Sequence, residues 1–403
     1  MKMSLLVKHL VAQGHSVQVL TALPNLPHGR LYEGYRYRLL MREKWFGADV
    51  VRAFVWPYRG RSVTKRILHF LTFAVSSCVG GFALRPFDVL YVYHPPLTIA
   101  LPALFLAFWR RTPFLYDVQD IWPEAGLVAG AVRRGVLYWA MSRLAHCVYR
   151  RAAKITVIAP EFRTLIAETG IDADKIDVVP NCTDEQCFSP QPAGDLRARC
   201  GIPPSAFVVM YAGNFGSTHG IDAILEAAAL LRSEKNIRFV FCGTGPEYRR
   251  ALERCSQAGL GNALFLGFIA DPAHLPGIYA AADLMIVATR RAPSGAVSLP
   301  SRIAAYMACA RPILVAGTGA PARLVEAAGC GYICAPDAPA AIADAVRQAR
   351  SADGRLAGMA ASGRAYYLAH LSAARTMDAV SSLLAQIMSR PPAVAPRQVR
   401  YGG

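Results

Sequence analysis

The sequence predicts an α/β protein made of two doubly wound halves. Eleven apolar, β-branched segments alternate with stretches of helical periodicity, from residues 16–23 to residues 331–336. Strands that are apolar almost throughout are typical of parallel sheets with helices on both faces. The 403 residues, 54% of them hydrophobic, are enough for two domains with separate cores.

The order of these segments predicts the domain boundaries. Five predicted strands precede a polar, proline-bearing stretch and six follow it. We therefore expect an N-terminal domain over 1–183, a linker over 184–204 and a C-terminal domain over 205–371. A C-terminal helix is expected over 372–389, and a proline-rich, disordered tail over 390–403.

Positive charge is concentrated in the first half of the chain. The net charge is +17, and residues 1–183 alone carry 23 basic and 12 acidic side chains. Such an excess predicts an anionic partner. Between Arg30 and Arg66, ten basic residues are interleaved with aromatic ones, beside an apolar run at 67–84. No nucleic-acid motif accompanies them, so an anionic membrane surface is favoured over nucleic acid, with a solvated charged surface as the alternative.

Several other classes of protein are disfavoured. Ten cysteines occur without a Cys-x-x-Cys pair or a zinc-type spacing, which favours a reduced, cytoplasmic compartment and no metal site. The N-terminus is predicted to be helical rather than a signal peptide. The run at 67–84 is at the lower edge of spanning length and contains His69, so it does not predict a membrane span.

Two predicted strands of the second half end in small residues. Gly213 and Asn214 follow one strand, and Gly243 and Gly245 follow the next. Ligands of open α/β folds bind at the carboxyl ends of the strands, where glycines allow close approach to the backbone. Neither stretch matches Gly-x-Gly-x-x-Gly, so ordinary strand-to-helix turns are the alternative.

Polar residues also follow strands in the first half. Asp117, Gln119, Asp120 and Glu124 lie at the end of one strand, and His94 at the end of another. Burial in a cleft disfavours an ionised carboxylate, which makes a proton-transfer role possible. The alternative is structural: Asp120 caps the following turn and Asp117 pairs with an arginine.

Spaced motifs from about residue 14 to about residue 371 resemble glycosyltransferase family 4. The motifs are KIDVVPNCTDEQCF, YAGNFGSTHGIDAILEA, FVFCGTGPEYRRAL, LFLGFIADPAHLPGIYAAADLMIVA, PSRIAAYMACARPILV and GCGYICAPDAPAAIADAV. Two further motifs, TALPNLPHGRLYEGYR and LYDVQDIWPE, resemble the bacterial branch that builds O-antigen, capsule and colanic-acid-type polysaccharide. That branch is similar to the L-fucosamine transferases.

The resemblance implies a GT-B architecture of two facing Rossmann-like domains. The C-terminal domain would bind a nucleotide-sugar donor, most simply a UDP-sugar, and the N-terminal domain a lipid-diphosphate-linked saccharide acceptor. Transfer would retain the anomeric configuration, normally without a metal or another cofactor. The implied location is the cytoplasmic face of the plasma membrane, where the enzyme would be peripheral.

The resemblance also implies roles for particular residues. The helix that begins near Ser301 would direct its backbone N–H groups at the donor diphosphate, with Ser301 as the N-cap after Pro300. Arg302 would add a permanent charge there. Phe268 lies where family members read the nucleotide base, and a core position is its alternative.

Catalysis needs a proton acceptor on the acceptor side. Asp120 or Glu124 is the candidate, although the leaving diphosphate could itself take the proton. Gln119 stands where other family members often have a cleft histidine, and its amide cannot act as a base. Asp117 and His94 complete the expected acceptor side, His94 as a second candidate for the proton.

The chain departs from the family pattern at several positions. Val297 and Ala305 stand where many members have glutamates, and Asn214 and His219 where many have Arg and Lys. Two alternatives stay open. One is a different enzyme class on the same architecture, a nucleotide-sugar 2-epimerase; the other is a non-catalytic sugar-nucleotide-binding partner of an assembly complex, which Val297 and Ala305 favour. Family members also begin with a strand for which this sequence has no counterpart, so we expect an upstream extension to stabilise the chain.

Overall fold

The computed structural model describes residues 2–25, 29–58, 60, 62–128, 130, 132–291, 299–352 and 354–389. Within these ranges the strands lie in three sheets, with helices packed on them. Two of the sheets belong to an N-terminal lobe, which ends near residue 183, and the third belongs to a C-terminal lobe.

The N-terminal lobe contains two separate sheets, with strand orders β1-β3-β2 and β4-β5-β6-β7. The strands are β1 (Gln18–Ala22), β2 (Leu40–Trp45), β3 (Ala48–Ala53), β4 (Leu90–His94), β5 (Phe114–Val118), β6 (Lys154–Val157) and β7 (Ile176–Val178). All neighbours pair in parallel except β2 and β3, which form an antiparallel hairpin.

This hairpin lies inside the basic, aromatic stretch, where the sequence predicted no strand. The charged residues Arg42, Glu43 and Lys44 occupy the middle of β2 and hide its periodicity. Phe46 and Gly47 turn the chain with positive φ at both positions, as two-residue hairpin loops require. Much of the predicted charged surface is therefore one edge of a sheet.

Six helices accompany these strands. They are α1 (Lys2–Ala12), α2 (Val63–Phe82), α3 (Ala100–Arg110), α4 (Glu124–Val128), α5 (Val136–Arg151) and α6 (Pro160–Ala167). The apolar run at 67–84 forms most of α2. Across the described ranges, no helix has both the length and the apolar character needed to cross a bilayer.

The C-terminal lobe is one parallel sheet with the order β10-β9-β8-β11-β12-β13. Its strands are β8 (Phe207–Asn214), β9 (Ile237–Thr244), β10 (Ala263–Gly267), β11 (Leu284–Ala288), β12 (Ile313–Ala316) and β13 (Gly331–Cys334). The helices are α7 (Leu196–Arg199), α8 (Ile221–Leu230), α9 (Tyr248–Gln257), α10 (Leu275–Ala280), α11 (Arg302–Ala308), α12 (Ala320–Ala327), α13 (Pro339–Ser351) and α14 (Arg355–Tyr366). All eleven predicted segments contain a strand, which confirms the doubly wound α/β class.

The stretch predicted as a linker packs against the C-terminal lobe. Phe188 and Ile202 are buried in the same apolar cluster as Val208 of β8. Arg197 bonds the carboxylate of Asp283 at 2.7 Å. Residues 184–204 thus cover one side of the sheet in the C-terminal lobe. The tail at 390–403 lies outside the described residues.

The last helix, α15 (Ala373–Ser389), returns to the N-terminal lobe. Val380 and Leu384 of α15 are buried in one cluster with Leu6 of α1 and Leu115 of β5. Just before α15, the Tyr367 hydroxyl donates to the Thr183 carbonyl at 3.0 Å. The chain therefore crosses between the lobes twice.

The lobes also meet where the carboxyl ends of their strands lie. Arg323 of α12, which follows β12, pairs with Glu161 of α6, which follows β6. Ala320 is buried in the core cluster of the N-terminal lobe. Leu299 packs against the cores of both lobes, so the segment leading to α11 lies at their junction.

Candidate active site

Arg302, the first residue of α11, is held by Tyr211 at the carboxyl end of β8. One guanidinium nitrogen, Nη1, donates to the Tyr211 hydroxyl at 2.8 Å, and the guanidinium carbon lies 4.7 Å from the ring centroid. Nε and Nη2 are buried and have no hydrogen-bond partner among the described residues. A buried donor without an acceptor is costly, so these two nitrogens are available to an acceptor from outside the described part of the chain.

Two tyrosines fasten α11 to β8. The Tyr306 hydroxyl donates to the Ala212 carbonyl at 2.6 Å, one residue after Tyr211 on the strand. The Tyr211 hydroxyl in turn donates to the Asn214 carbonyl at 2.5 Å, which fixes its lone pairs toward Arg302. Both tyrosine side chains are fully buried. The direction of the guanidinium is therefore determined by the packed interior of the lobe.

The predicted donor-side glycines make room for neighbouring protein groups. A Cβ at Gly213 would lie 2.3 Å from Nη1 of Arg302. A Cβ at Gly243 would lie 1.9 Å from the Gly213 carbonyl oxygen, and one at Gly245 2.5 Å from the Phe215 carbonyl oxygen. Contacts below 3 Å are not tolerated, so these glycines let β8, β9 and Arg302 approach each other closely.

His219 closes the loop between β8 and α8. Its Nδ1 accepts a hydrogen bond from the Gly216 backbone at 3.2 Å. Burial, with Arg302 nearby, lowers the pKa of His219 to about 3. The imidazole is therefore neutral at physiological pH, and Arg302 supplies the positive charge here.

The residues flanking Arg302 differ in exposure. Ser301 occupies the N-cap position, as expected, but its exposed side chain makes no capping hydrogen bond. Pro300 is half-buried just before it. Phe268, directly after β10, is 49% exposed rather than part of the core. It presents an aromatic face at the same edge of the sheet.

Of the two positions where many family members have glutamates, the structure describes one. Ala305 is 6% exposed and belongs to an apolar cluster with Ile303 and Met307. Its methyl group offers no hydrogen-bond acceptor to a ligand. Val297 lies outside the described residues.

In the N-terminal lobe, Asp117 of β5 is a fully buried hub. Its two carboxylate oxygens accept from four side chains at 2.5–2.9 Å: Lys2, Tyr91, Gln119 and Thr156. The ammonium group of Lys2 is itself only 5% exposed. The arrangement ties α1, β4 and β6 to β5. The partner of Asp117 is thus a lysine rather than an arginine.

Gln119 and His94 are also buried at this edge of the sheet. The Gln119 backbone N–H donates to the His94 carbonyl at 3.1 Å. The side-chain amide of Gln119 donates to the Asp117 carboxylate. Neither ring nitrogen of His94 has a partner within the described part of the chain. Burial lowers the pKa of His94 to about 3, so its ring is neutral.

Asp120 and Glu124 have different surroundings. Burial raises the pKa of Asp120 to about 6. Glu124, the first residue of α4, accepts from the Tyr138 hydroxyl at 3.1 Å. Asp172 accepts from the backbone N–H of Asp174 and so caps a short 3₁₀ helix. The structure thus brings His94, Asp117, Gln119 and Asp120 to the carboxyl edge of the β4-β5-β6-β7 sheet, and the donor-side residues to the carboxyl edge of the sheet of the C-terminal lobe.

Two family models match the chain. The model described as "Glycosyl transferase 4-like domain" matches residues 3–182, and "Glycosyl transferases group 1" matches residues 206–351. The chain belongs to glycosyltransferase family 4. This confirms that it is a glycosyltransferase.

Among curated proteins, it is similar to the "Putative colanic acid biosynthesis glycosyl transferase WcaI" of Escherichia coli K12. The two are 28% identical over 311 residues, which cover 75% of each chain. It is also 28% identical over 231 residues to the "Probable glycosyltransferase WbjE" of Pseudomonas aeruginosa, covering 56% of this chain and 57% of the other. These likenesses support the bacterial polysaccharide branch.

Solved structures share the fold. Sucrose-phosphate synthase from Thermosynechococcus elongatus has a TM-score of 0.74 at 19% identity, covering 95% of this chain and 91% of its own. The Anabaena protein Alr3699/HepE, solved with UDP and glucose, has a TM-score of 0.65 at 19% identity, covering 84% and 87%. WaaG has a TM-score of 0.66 at 16% identity, covering 94% and 95%. The GT-B architecture is confirmed.

Sequence reasoning missed three residues that organise the site. Tyr211 and Tyr306 lie in apolar segments, where a tyrosine is indistinguishable from ordinary core packing. Lys2 was counted only as part of the general basic excess. One signal could have identified Tyr211: it lies just before Gly213 and Asn214, which the sequence already marked as candidate site residues at the end of that strand.

Asp117→Ala is predicted to destabilise the protein strongly. The change leaves Lys2 buried without its counter-charge, which costs about 3–5 kcal/mol. Urea unfolding followed by circular dichroism measures the loss. Asp195→Ala is the control, because Asp195 forms only an exposed pair with Arg199 and its loss should leave the midpoint unchanged. Equal urea midpoints for the Asp117 variant and the parent protein would contradict the stabilising role of the Asp117 hydrogen bonds.

Proposed function

We propose that the protein transfers a sugar from a nucleoside diphosphate donor, probed first as UDP-sugars, to a lipid-diphosphate-linked saccharide during surface polysaccharide synthesis. Transfer retains the anomeric configuration and needs no metal ion. The observation that carries the proposal is the buried, half-paired guanidinium of Arg302 at the junction of the lobes. Support for the donor comes from the solved relative that binds UDP, and support for the pathway from the relative named for colanic acid.

The donor diphosphate is assigned to Arg302. Its two unused nitrogens, Nε and Nη2, have the fork geometry that matches phosphate oxygens. The exposed ring of Phe268 is available to stack on the base. Ser301 adds an exposed hydroxyl, while Asn214 and the glycines at 213, 243 and 245 leave the diphosphate access to the strand ends.

The acceptor hydroxyl is assigned to the carboxyl edge of the β4-β5-β6-β7 sheet in the N-terminal lobe. During transfer, the bond from the sugar's anomeric carbon to the diphosphate oxygen breaks, and the acceptor oxygen bonds to that carbon on the same face. The hydroxyl proton passes to Asp120, or to the departing diphosphate. An Asp120 pKa of about 6 leaves this carboxylate ionised, yet basic enough to accept a proton, near neutral pH.

We propose that the acceptor lipid is reached through the exposed apolar side chains of α2, α3 and α5 in the N-terminal lobe, which together with their basic neighbours we call the apolar-basic face. Helices α2, α3 and α5 are neighbours there, and Phe82 of α2 contacts Trp109 of α3 with ring centroids 4.4 Å apart. The large exposed apolar side chains are Ile67, Leu68, Leu71, Val75, Val79, Phe82, Leu101, Phe108, Trp109, Val136, Leu137 and Trp139.

Basic residues accompany this apolar surface. Arg110 lies over the ring of Trp109 at 4.4 Å, and Arg143 over Trp139 at 5.6 Å. Aromatic and aliphatic side chains beside arginines suit the interface of an anionic bilayer. We therefore propose a peripheral position on the cytoplasmic face of the plasma membrane.

Arg302→Ala is predicted to weaken UDP binding by about 10- to 150-fold, because hydrogen bonds to charged groups contribute about 1.5–3 kcal/mol. Titration calorimetry measures the change. Arg302→Lys keeps the positive charge but loses the pair of neighbouring N–H donors. Its dissociation constant for UDP should therefore lie between those of the parent protein and Arg302→Ala. Arg249→Ala is the matched control, since its side chain is 91% exposed and pairs only within its own helix. An unaltered dissociation constant in Arg302→Ala would remove this residue from the site.

The rate of transfer is predicted to rise with pH through about 6. Asp120 must be deprotonated before it can accept a proton, so kcat/KM should fall on the acid side of its pKa. Asp120→Asn should abolish this limb and lower kcat by roughly 10²- to 10⁴-fold. Glu124→Gln is the matched comparison. If only the Glu124 variant loses the limb, or if neither does, Asp120 is not the base.

The double variant Phe108→Ser, Trp139→Ser is predicted to bind vesicles containing phosphatidylglycerol about tenfold or more weakly. The reason is that two large apolar side chains are no longer available for burial in the bilayer interface. Sedimentation at low salt measures the bound fraction, and added salt should weaken binding further. Leu252→Ser, on the exposed surface of α9, is the control. Equal losses in both variants would argue against the apolar-basic face.

A further inference from the structure

The two lobes touch through helices α6 and α12, each of which follows the carboxyl end of a strand. Glu161 lies in the first turn of α6, and Arg323 is the fourth residue of α12. Nε and Nη2 of Arg323 both contact one carboxylate oxygen of Glu161, Oε1. Within the described ranges, Glu161 is the only carboxylate that pairs with Arg323. This ion pair joins one lobe to the other.

The ion pair is not explained by the local needs of α12. A positive charge near the amino end of a helix is disfavoured by the helix dipole. Glu326 lies three residues further along the same helix, at a spacing suited to an ion pair, yet Arg323 pairs with the other lobe. Glu161 is only 20% exposed, and its second oxygen is buried without a partner among the described residues. The position of Arg323 therefore serves the contact between the lobes.

An apolar contact lies beside the ion pair. Val325 of α12 is buried in the core of the C-terminal lobe. Ala320, at the start of the same helix, is 3% exposed and belongs to the core of the N-terminal lobe, together with Ala159 and Phe162. One helix thus packs on both cores. If the lobes separate, Ala320 loses its cover and the ion pair breaks.

The strands that carry this contact are neighbours of the strands that carry the candidate site. In the N-terminal lobe, β6 pairs with β5, and Asp120 lies two residues beyond the end of β5. In the C-terminal lobe, β12 pairs with β11, which pairs with β8, the strand of Tyr211. Leu299, shortly before α11, packs against both cores. The distance between the lobes at the ion pair therefore sets the distance between Asp120 and Arg302.

The chain itself connects the lobes at another place. The two crossing segments lie side by side there, because the Tyr367 hydroxyl donates to the Thr183 carbonyl at 3.0 Å. The Ala373 N–H, at the start of α15, donates to the Glu185 carboxylate at 2.5 Å. Two adjacent crossings are the usual arrangement of a hinge. A hinge at one place and a non-covalent contact at another allow the lobes to open and close.

The ion pair has the strength of a reversible contact. The side chain of Arg323 is 59% exposed. Ion pairs exposed to this degree shift an equilibrium by about fivefold or less. Such a contact favours the closed arrangement without preventing the opening that substrate entry and product release require.

We propose that Arg323 and Glu161 are positioning residues that hold the two lobes at the separation at which sugar transfer takes place. This inference rests on the proposed function, in which the donor lies on Arg302 and the acceptor hydroxyl lies near Asp120. Neither positioning residue contacts a substrate. Each acts by keeping the carboxyl edges of the two lobes together.

The test reverses the charges of the pair one at a time and then together. Glu161→Lys places two positive charges against each other, and adding Arg323→Glu restores an ion pair of opposite direction. Glu234→Lys is the matched control, because it breaks a similar pair with Arg347, 47% exposed, that lies wholly within the C-terminal lobe. Small-angle X-ray scattering measures the radius of gyration, and steady-state kinetics measure transfer.

Glu161→Lys is expected to increase the radius of gyration and to lower kcat by about fivefold or more, since repulsion adds to the loss of the ion pair. Its dissociation constant for UDP should stay unchanged, because the contacts of Arg302 lie within one lobe. The double variant should recover both the radius and kcat. A side chain needed only for the folding of its own lobe would not be rescued in this way. The Glu234 variant should match the parent protein throughout.

Three results would overturn the proposal: an unchanged radius of gyration in Glu161→Lys, a double variant that recovers neither the radius nor kcat, or an equal loss of kcat in the Glu234 control. A double variant that recovers the radius alone would show that the pair holds the lobes together without positioning them for transfer. If the parent protein transfers no sugar from any donor, the proposed function fails. The scattering comparison still decides whether the ion pair holds the lobes together.

Discussion

The candidate donor site depends on one buried cation whose hydrogen bonds are only half satisfied. Arg302 gives one nitrogen to Tyr211 and keeps two others buried and unused among the described residues. The surrounding lobe is arranged to hold it there: Tyr306 fastens its helix, and Gly213 leaves space for its head. Since an unsatisfied buried donor costs about 1–3 kcal/mol, the fold carries a penalty that a bound anion would remove. This is the reason for proposing that the guanidinium binds the phosphate of the donor.

The opposite lobe shows how surroundings separate two carboxylates only three residues apart. Asp117 receives four hydrogen bonds and a buried ammonium group, so its charge is fully compensated and its role is structural. Asp120 is close to it but is desolvated, which raises its pKa to about 6. A sequence pattern of two aspartates cannot distinguish these roles. The two roles differ because neighbouring strands and helices place hydrogen-bond donors around Asp117, whereas Asp120 is buried without such compensation.

The fold was largely predictable because its signal is local. Runs of β-branched residues mark eleven of the strands found in the described ranges, but the β2–β3 hairpin was missed because charged residues occupy its middle. Partners distant in sequence were not predictable, as with Lys2 and Asp117, which are 115 residues apart. The glycines at 213 and 243 were identified for access to a ligand, and the structure adds that they also relieve contacts within the protein. Ser301 was placed correctly at the start of a helix, although its side chain makes no capping bond.

The structure of the protein with bound UDP is the most direct test of the central claim. We expect the diphosphate to lie at the junction of the lobes, with its oxygens about 2.7–2.9 Å from Nε and Nη2 of Arg302. Tyr211 should keep its hydrogen bond to Nη1. A diphosphate bound elsewhere, with both nitrogens of Arg302 still without a partner, would contradict the account.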